Sequence, residues 1–257
     1  MAALSLKCCE HFNTLVASHG LHRRTVETHA LTHLEATEFA NRLDDDAAGL
    51  CYCAVATFAS AIQDIQRGAS AWAAVKGYYA SFYAMRSILA SDGIGIAYLH
   101  SSPILVRAKP GIRFEKLAGA THIVAYSLFR KEYASDPFVT NDIDGLEPVE
   151  WLRANRERIN YKTQRLPCEL SDIGVSPTLT TNTMRRTLEE YLNISTYAFD
   201  PDHAAVALPM AFTLRVASKN NGKVVFQRSA DFERTRRQLS DSAGPLANLH
   251  ALLIDSY

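Results

Sequence analysis

The chain has 257 residues, of which 47% are hydrophobic and 21% charged, and its 27 basic side chains balance 27 acidic ones. This composition is typical of a soluble globular protein, and zero net charge excludes a global field that would attract nucleic acid or a membrane. Five cysteines, an odd number, suit no ordinary disulfide framework and indicate a reducing compartment. The sequence offers neither a signal peptide nor a bilayer-spanning stretch. We therefore expect a cytoplasmic protein without a membrane partner.

Two helices are expected at the start, a weakly patterned one over residues 1–22 and another from Thr25 to about Leu43. The first carries five potential metal ligands, which lack the two separated pairs of a structural zinc site: Cys8, Cys9, His11, His19 and His22. In the second, His29 and His33 would lie one helical turn apart, without the glutamate of the zinc-protease pattern. Surface or partly buried histidines explain both groups more simply. The sequence therefore predicts no metal ion and no cofactor.

Two further helices are better defined, from about Asp46 to Gln66 and over Ser70–Ala90. The first has a sustained apolar stripe formed by Cys51, Val55, Phe58, Ile62 and Ile65. The short joint between them, which contains Gly68, predicts an antiparallel hairpin. The second helix is apolar on two faces, one of which includes Trp72, so we expect it in the middle of a bundle.

Arg86 interrupts one apolar face of the Ser70–Ala90 helix, between Phe82 and Leu89. A guanidinium group cannot lose its charge, so it must find an anion, a carbonyl group or water. This misfit suggests that the helix has a role beyond packing.

Residues 94–113 contain several Gly and Pro residues and are expected to form a loop, followed by a helix from about Phe114 to Tyr133. A fourth well-defined helix runs from Pro148 to about Arg165. Arg156 interrupts its apolar stripe, as Arg86 does in the earlier helix. Four more cations make this helix the most basic part of the chain and are candidate RNA contacts, although a charged helix is usually a solvated face: Arg153, Arg158, Lys162 and Arg165.

The C-terminal third is expected to be mostly helical after a linker over residues 166–180. Helices are predicted near 182–198 and 230–254, whereas 203–227 fits a helix or a two-stranded turn, with helix favoured for its first half. The predicted fold is mainly all-α, an antiparallel up-and-down bundle with an N-terminal extension over residues 1–165. A mostly helical C-terminal extension over residues 166–257 packs on it.

Three segments carry a family resemblance. Residues 78–89, YYASFYAMRSIL, resemble the YYA-x-F-x-A-x-R-x-L-L helix of the HEPN superfamily, small α-helical bundles found in RNA-cutting toxins and antiviral defence proteins. Thr121 and His122, with the apolar helix after them, resemble the segment before that family's last helix. Residues 156–161, RERINY, are similar to the arginine, spacer, polar residue, tyrosine pattern of many members. The resemblance covers roughly residues 50–165.

The resemblance implies metal-independent RNA cleavage at the interface of a homodimer, in which a 2′-hydroxyl attacks the adjacent phosphate. This reaction needs a group that moves protons and a cation that stabilises the phosphorane charge. Arg156 and Arg86 could supply the cation, and Asn160 and Tyr161 complete the predicted catalytic set. Catalytic members have a histidine four to six residues after the arginine, where Tyr161 stands here. Either Tyr161 or His122 moves the proton, or the scaffold lacks the chemistry.

The expected function is that of a HEPN-like protein of a toxin–antitoxin or antiphage defence system, which binds or cleaves RNA. The alternative is a non-catalytic module that holds or regulates a partner protein through the same helical surface. The two hypotheses differ in the role of Arg156.

Arg86 and Arg156 both interrupt apolar stripes on helices expected in one bundle, so we predict that the stripes face each other. Helix packing distances would then bring the two arginines within about 12 Å. In a purely structural alternative, carboxylates such as Asp64 or Glu157 hold a buried arginine pair, because structural ion-pair networks resemble functional sites.

Overall fold

A computed structural model describes residues 6–162, 201–220, 229–239 and 246. Helices hold 68% of these residues, which confirms the predicted mainly all-α fold. The described residues divide into two compact units. The first unit comprises the chain up to Leu50 together with Met85–Phe129, and the second comprises Cys51–Ala84 together with the chain from Arg130 onward. The predicted domain boundary after residue 165 lies outside the described residues.

Eight α-helices, three short strands, one 3₁₀ turn and one π-helical turn occur in the described part of the chain. In order they are α1 (Lys7–Ser18), the 3₁₀ turn (Val26–Thr28), α2 (His33–Gln66), α3 (Ser70–Ser91), β1 (Ile94–Leu99), β2 (Ser102–Arg107), β3 (Glu115–Lys116), α4 (Thr121–Glu132), α5 (Pro137–Thr140), α6 (Pro148–Glu157), the π-helical turn (Arg158–Lys162), α7 (Pro201–Lys219) and α8 (Ser229–Gln238).

Helix α2 is one continuous helix of 34 residues, so the prediction of two helices separated near Asp44–Asp46 is wrong. Its start is set by a capping box, in which the Glu35 carboxylate accepts hydrogen bonds from the backbone N–H and hydroxyl of Thr32. The acidic run does not end the helix, because Asp44 and Asp45 point into solvent. Asp46 instead turns inward and binds the start of α1.

By its length and composition alone, α2 could cross a membrane, whereas no bilayer-spanning stretch was predicted from the sequence. Length and composition are weak evidence for a membrane span, because core helices of soluble proteins share them and 44% of the most apolar part of α2 is buried within the protein.

The segment predicted to be a loop, residues 94–113, contains an antiparallel hairpin. Strands β1 and β2 pair from Ile94 opposite Arg107 to Leu99 opposite Ser102, and β3 adds to β2 with Leu105 opposite Glu115. The loop was predicted from the Gly and Pro residues of this segment, whereas its β-branched and aromatic side chains favour strands. Because β3 occupies residues 115–116, α4 begins at Thr121 rather than near Phe114 as predicted.

The core of the first unit lies where α1 and the start of α2 pack on the hairpin. Phe12, Phe39 and Phe114 are almost fully buried there and meet edge to face, at centroid distances of 5.1 and 5.9 Å to the Phe114 ring. Gly95 on β1 lets this packing be close. A Cβ atom at this position would lie 2.7 Å from Cδ2 of Leu43 and 2.9 Å from Sγ of Cys8, and both side chains are buried.

Replacing Gly95 with alanine is expected to lower the free energy of unfolding by about 1–3 kcal/mol, because the added methyl group overpacks a buried site. The measurement is urea unfolding followed by circular dichroism. The matched control is Gly49→Ala in α2, where a Cβ meets nothing within 4 Å and alanine favours the helix. That variant should be as stable as the native protein or up to about 1 kcal/mol more stable. Equal stability of the two variants would contradict the packing argument.

In the second unit, α2 and α3 run antiparallel. Lys76 on α3 donates to Ser60 and pairs with Asp64 on α2 at 2.5 Å. Only residues 67–69 separate the two helices, so α3 runs back along α2. The predicted apolar stripe of α2 is buried at Cys51, where burial raises the thiol pKa to about 12, as suits a core filler. Trp72 was predicted on a buried face but is 54% exposed, because it lies in the first turn of α3.

Helix α7 packs closely against α3. A Cβ atom on Gly77 would lie 3.1 Å from the carbonyl oxygen of Ala205 and 3.2 Å from Cγ of Pro209. The range of α7, Pro201–Lys219, confirms a helix for the first half of the ambiguous segment 203–227. Helix α8 agrees with the predicted C-terminal helix up to Gln238, whereas the predicted helix near 182–198 lies outside the described residues.

Candidate functional site

Helix α6 ends in a π-helical turn that changes which side chains share a face. The helix starts with Pro148, whose fixed φ suits the first helical position, and the π-helical turn follows after Glu157. In a regular α-helix, Tyr161 would point about 140° away from Arg156, five residues earlier. Because a π-helical turn rotates less per residue, Tyr161 returns to the side of Arg156.

Three tyrosine rings surround the guanidinium group of Arg156. Its Cζ atom lies 5.5 Å from the ring centroid of Tyr78, 5.7 Å from that of Tyr79 and 5.9 Å from that of Tyr161. These distances are within the range of cation–π attraction. We call this arrangement of Arg156 with Tyr78, Tyr79 and Tyr161 the tyrosine cage. Two of its rings come from α3 and one from the π-helical turn.

Polar contacts to Arg156 are sparse. Its Nη2 donates to the hydroxyl oxygen of Tyr79 at 3.2 Å, and its buried Nε has no hydrogen-bond partner among the described residues. Within the described residues, no carboxylate forms an ion pair with Arg156. Burial opposes the charged form, but the Tyr79 hydroxyl and the neighbouring tyrosines outweigh it and raise the pKa of Arg156. In the part of the chain that the structure describes, this permanent cation is therefore held by aromatic rings rather than by an anion.

The tyrosines of the cage differ in exposure. Tyr78 is only 3% exposed, and burial raises its pKa to about 12, so its hydroxyl stays protonated at neutral pH and cannot act as a base. Tyr161 is 74% exposed and presents a ring to solvent. The cage is thus anchored on one side in the core of the second unit and open on the other.

The other predicted cations of this region differ in their exposure and in whether carboxylates neutralise them. Arg153 donates to Glu150 and to Glu157, and these bonds raise its pKa. Arg158 is exposed and donates to Oδ1 of Asn155 at 2.8 Å. Lys162 and Asn160 are exposed, and Arg165 lies outside the described residues. Glu157 therefore does not hold Arg156, in contrast to one structural alternative, and Asp64 pairs with Lys76 instead.

Arg86 lies in the first unit, near Asp46 and Cys8. Burial raises the pKa values of the Asp46 carboxyl and the Cys8 thiol, and the charge of Arg86 opposes this rise in both groups. Together with Asp46 it lines a cavity of about 20 Å³. Arg156 belongs to the second unit, so the predicted separation of about 12 Å remains a prediction.

The histidines are arranged differently from either group of possible metal ligands considered in the sequence. His29 follows the 3₁₀ turn and His33 begins α2, so the two do not share a helix. Instead, potential ligand atoms of His19, His29 and Glu35 lie within 4.8 Å of one another. Sequence reasoning missed Glu35, whose one signal was its place in a Thr-x-x-Glu capping box. His122, the other proton carrier considered, lies in the first turn of α4 in the first unit.

No protein-family model, curated protein or solved structure matches this chain. The resemblance to the HEPN superfamily therefore rests on the residues themselves. The geometry defines a mainly helical protein with an arginine held in a cage of tyrosines.

Proposed function

We propose that this protein binds RNA at the tyrosine cage, as a HEPN-like homodimer in the cytoplasm that serves a toxin–antitoxin or antiphage defence system. The observation that carries the proposal is Arg156, a permanent cation without a carboxylate partner among the described residues and held by three tyrosine rings. A guanidinium group in this state attracts a phosphate, to which it can donate charge-assisted hydrogen bonds.

The open side of the cage favours single-stranded RNA. The exposed ring of Tyr161 offers a surface on which an unpaired base can stack, next to the cation that would hold the adjacent phosphate. Lys162 and Arg158, both exposed, would add contacts to the backbone. This combination of stacking and charge is the general means by which proteins bind single strands.

Cleavage is the stronger form of the proposal. Arg156 would stabilise the charge that develops on the phosphorane when a 2′-hydroxyl gives up its proton and attacks the adjacent phosphorus. The bond from phosphorus to the 5′-oxygen of the next nucleotide then breaks, and that oxygen leaves with a proton. Tyr161 is the exposed tyrosine of the cage, and Asn160 precedes it on the same turn. Arg86, which belongs to the first unit, is the remaining candidate of the proposed catalytic set.

The test incubates the purified full-length protein with labelled single-stranded RNA in a metal chelator. Native protein should bind with an affinity that falls steeply as salt rises. Arg156→Ala should weaken binding about tenfold, the loss of one charge-assisted hydrogen bond. The matched control is Arg67→Ala, which removes an exposed arginine of the same unit and should change binding less than twofold. Unchanged binding by Arg156→Ala would overturn the proposal.

The same incubation reports on cleavage. Fragments that form in chelator and disappear with Arg156→Ala would support a metal-independent endoribonuclease. Binding without fragments would support an RNA-binding protein that lacks the chemistry. Sedimentation of the native protein, which should give the mass of a dimer, tests the proposed homodimer separately.

A second candidate function is a non-catalytic module that holds or regulates a partner protein. The observation that favours it is the exposure of two large aromatic side chains in the second unit, Trp72 at 54% and Tyr161 at 74%, since such residues often anchor interfaces. Absence of RNA binding, together with a stable complex with the product of an adjacent gene, would favour this candidate.

A further inference from the structure

Three side chains from separate segments of the first unit converge at one point. His19 follows the end of α1, His29 follows the 3₁₀ turn, and Glu35 lies in the first turn of α2. Nε2 of His29 lies 3.2 Å from Oε1 of Glu35, and Nε2 of His19 lies 3.6 Å from the same oxygen. Both imidazoles thus direct the same type of nitrogen at a single carboxylate oxygen.

The Glu35 carboxylate is fixed by its second oxygen. Oε2 accepts hydrogen bonds from the backbone N–H of Thr32 at 2.7 Å and from its hydroxyl at 2.9 Å. These two bonds hold the carboxylate group in place, and Oε1 is left for the histidines.

The orientation of His19 is set by the helix before it. Its Nδ1 lies 3.2 Å from the carbonyl oxygen of Leu15 and 3.1 Å from the hydroxyl oxygen of Ser18, and that hydroxyl donates to the same carbonyl at 2.9 Å. When Nδ1 donates to these oxygens, Nε2 presents a lone pair toward Oε1 of Glu35. Two lone pairs that face each other require a proton or a cation between them. A backbone carbonyl bonded to the far ring nitrogen is also the usual support of a metal-bound histidine.

His29 is held from two sides. Its ring stacks on Phe114 at a centroid distance of 5.8 Å and an interplanar angle of 15°, and it meets the His19 ring at 4.7 Å. The backbone is fixed as well, because Ala30 forms a β-bridge with Arg113. The second ligand is therefore ordered before any ion binds.

We propose that His19, His29 and Glu35 bind a divalent transition-metal ion of the zinc class, through Nε2 of each histidine and Oε1 of the carboxylate. Ligand atoms bound to tetrahedral zinc lie about 3.3 Å apart, which follows from bond lengths of roughly 2.0–2.1 Å. The two distances to Oε1, 3.2 and 3.6 Å, match this value. The ligand atoms of the two histidines lie within 4.8 Å of each other. A small movement of His19, whose side chain is 46% exposed, would bring them to the same spacing.

The ligand set also indicates the type of site. Two histidines and one carboxylate leave a fourth position of the tetrahedron for solvent or a further ligand, unlike closed structural sites. The ion would link the end of α1 to the start of α2 and stabilise the first unit by binding only the folded chain. The site does not involve Arg156, so it stands or falls independently of the proposed RNA binding.

The experiment uses full-length protein without an affinity tag, freed of metal by a chelator and titrated calorimetrically with ZnCl₂. Co²⁺ serves as a second probe, because its visible absorption reports tetrahedral coordination. Native protein should bind one equivalent of either ion. His19→Ala removes a half-exposed ligand, and Glu35→Gln removes the charge while a glutamine preserves the capping box, so both variants should fold. Each should weaken binding at least tenfold.

Two exposed histidines near the site provide matched controls. His22→Ala and His33→Ala alter side chains outside the cluster and should leave the affinity within twofold of the native value. The proposal is overturned if native protein binds no stoichiometric ion. It is also overturned if His19→Ala and Glu35→Gln bind as the native protein does, or if the control variants lose binding equally.

Discussion

Replacing Asp46 with alanine is expected to lower the free energy of unfolding by about 3 kcal/mol. Asp46 is 5% exposed and accepts hydrogen bonds from the backbone N–H groups of Lys7 at 2.6 Å and Cys8 at 2.9 Å. These N–H groups begin α1 and have no acceptor within that helix. Alanine would leave them without the carboxylate, and it would also remove the anion that the charge of Arg86 stabilises.

Chemical unfolding measures this loss, with Asp45→Ala as the matched control. Asp45 is the neighbouring carboxylate but is exposed, so its removal should change stability by less than about 0.5 kcal/mol. The pH dependence provides a second test. Burial raises the pKa of Asp46, although the two N–H donors and Arg86 oppose this shift. The contribution of Asp46 to the free energy of unfolding is therefore fully present below its unfolded-state pKa. It declines as pH rises through the folded-state pKa. The loss of stability caused by Asp46→Ala should therefore become smaller as pH rises. If Asp46→Ala and Asp45→Ala lower the stability equally, the capping role of Asp46 is contradicted.

The helices that carry the tyrosine cage could be predicted from the sequence because they have strong local signals. The apolar faces of α3 repeat at helical spacing, and Pro148 marks the start of α6. The misfit of Arg156 on an apolar stripe also identified the cation at the centre of the site. These features depend on neighbours within one or two helical turns.

Features that depend on distant contacts or on unusual backbone geometry could not be predicted. The π-helical turn that brings Tyr161 over Arg156 has no sequence signal, and a regular helix would put the ring on another face. Asp46 resembled a helix end because it stands in an acidic run, yet its partners Lys7 and Cys8 lie 39 and 38 residues away. The cluster of His19, His29 and Glu35 is concealed for the same reason, since three segments must fold before its atoms meet.

Under the proposed function, Tyr161 determines what kind of site the tyrosine cage is, because the resemblance to the HEPN superfamily implies a histidine at this position in catalytic members. A histidine would contribute a proton carrier, whereas an exposed tyrosine contributes a ring. The ring lies 5.9 Å from the guanidinium of Arg156 and is 74% exposed, a geometry that suits base stacking beside a bound phosphate. The ring and the hydroxyl can be separated by substitution.

Tyr161→Ala is expected to weaken the binding of single-stranded RNA about tenfold to a hundredfold, because stacking of one base on an aromatic side chain contributes about 1–3 kcal/mol. Tyr161→Phe keeps the ring and should bind within twofold of the native protein. Fluorescence anisotropy at fixed salt measures both, and Trp72→Ala is a control that removes another exposed aromatic side chain of the same unit. Equal weakening by the phenylalanine and alanine variants would argue against stacking and assign the effect to the hydroxyl. If native protein cleaves RNA in chelator, loss of cleavage in Tyr161→Phe with binding intact would identify that hydroxyl as the group that moves the proton.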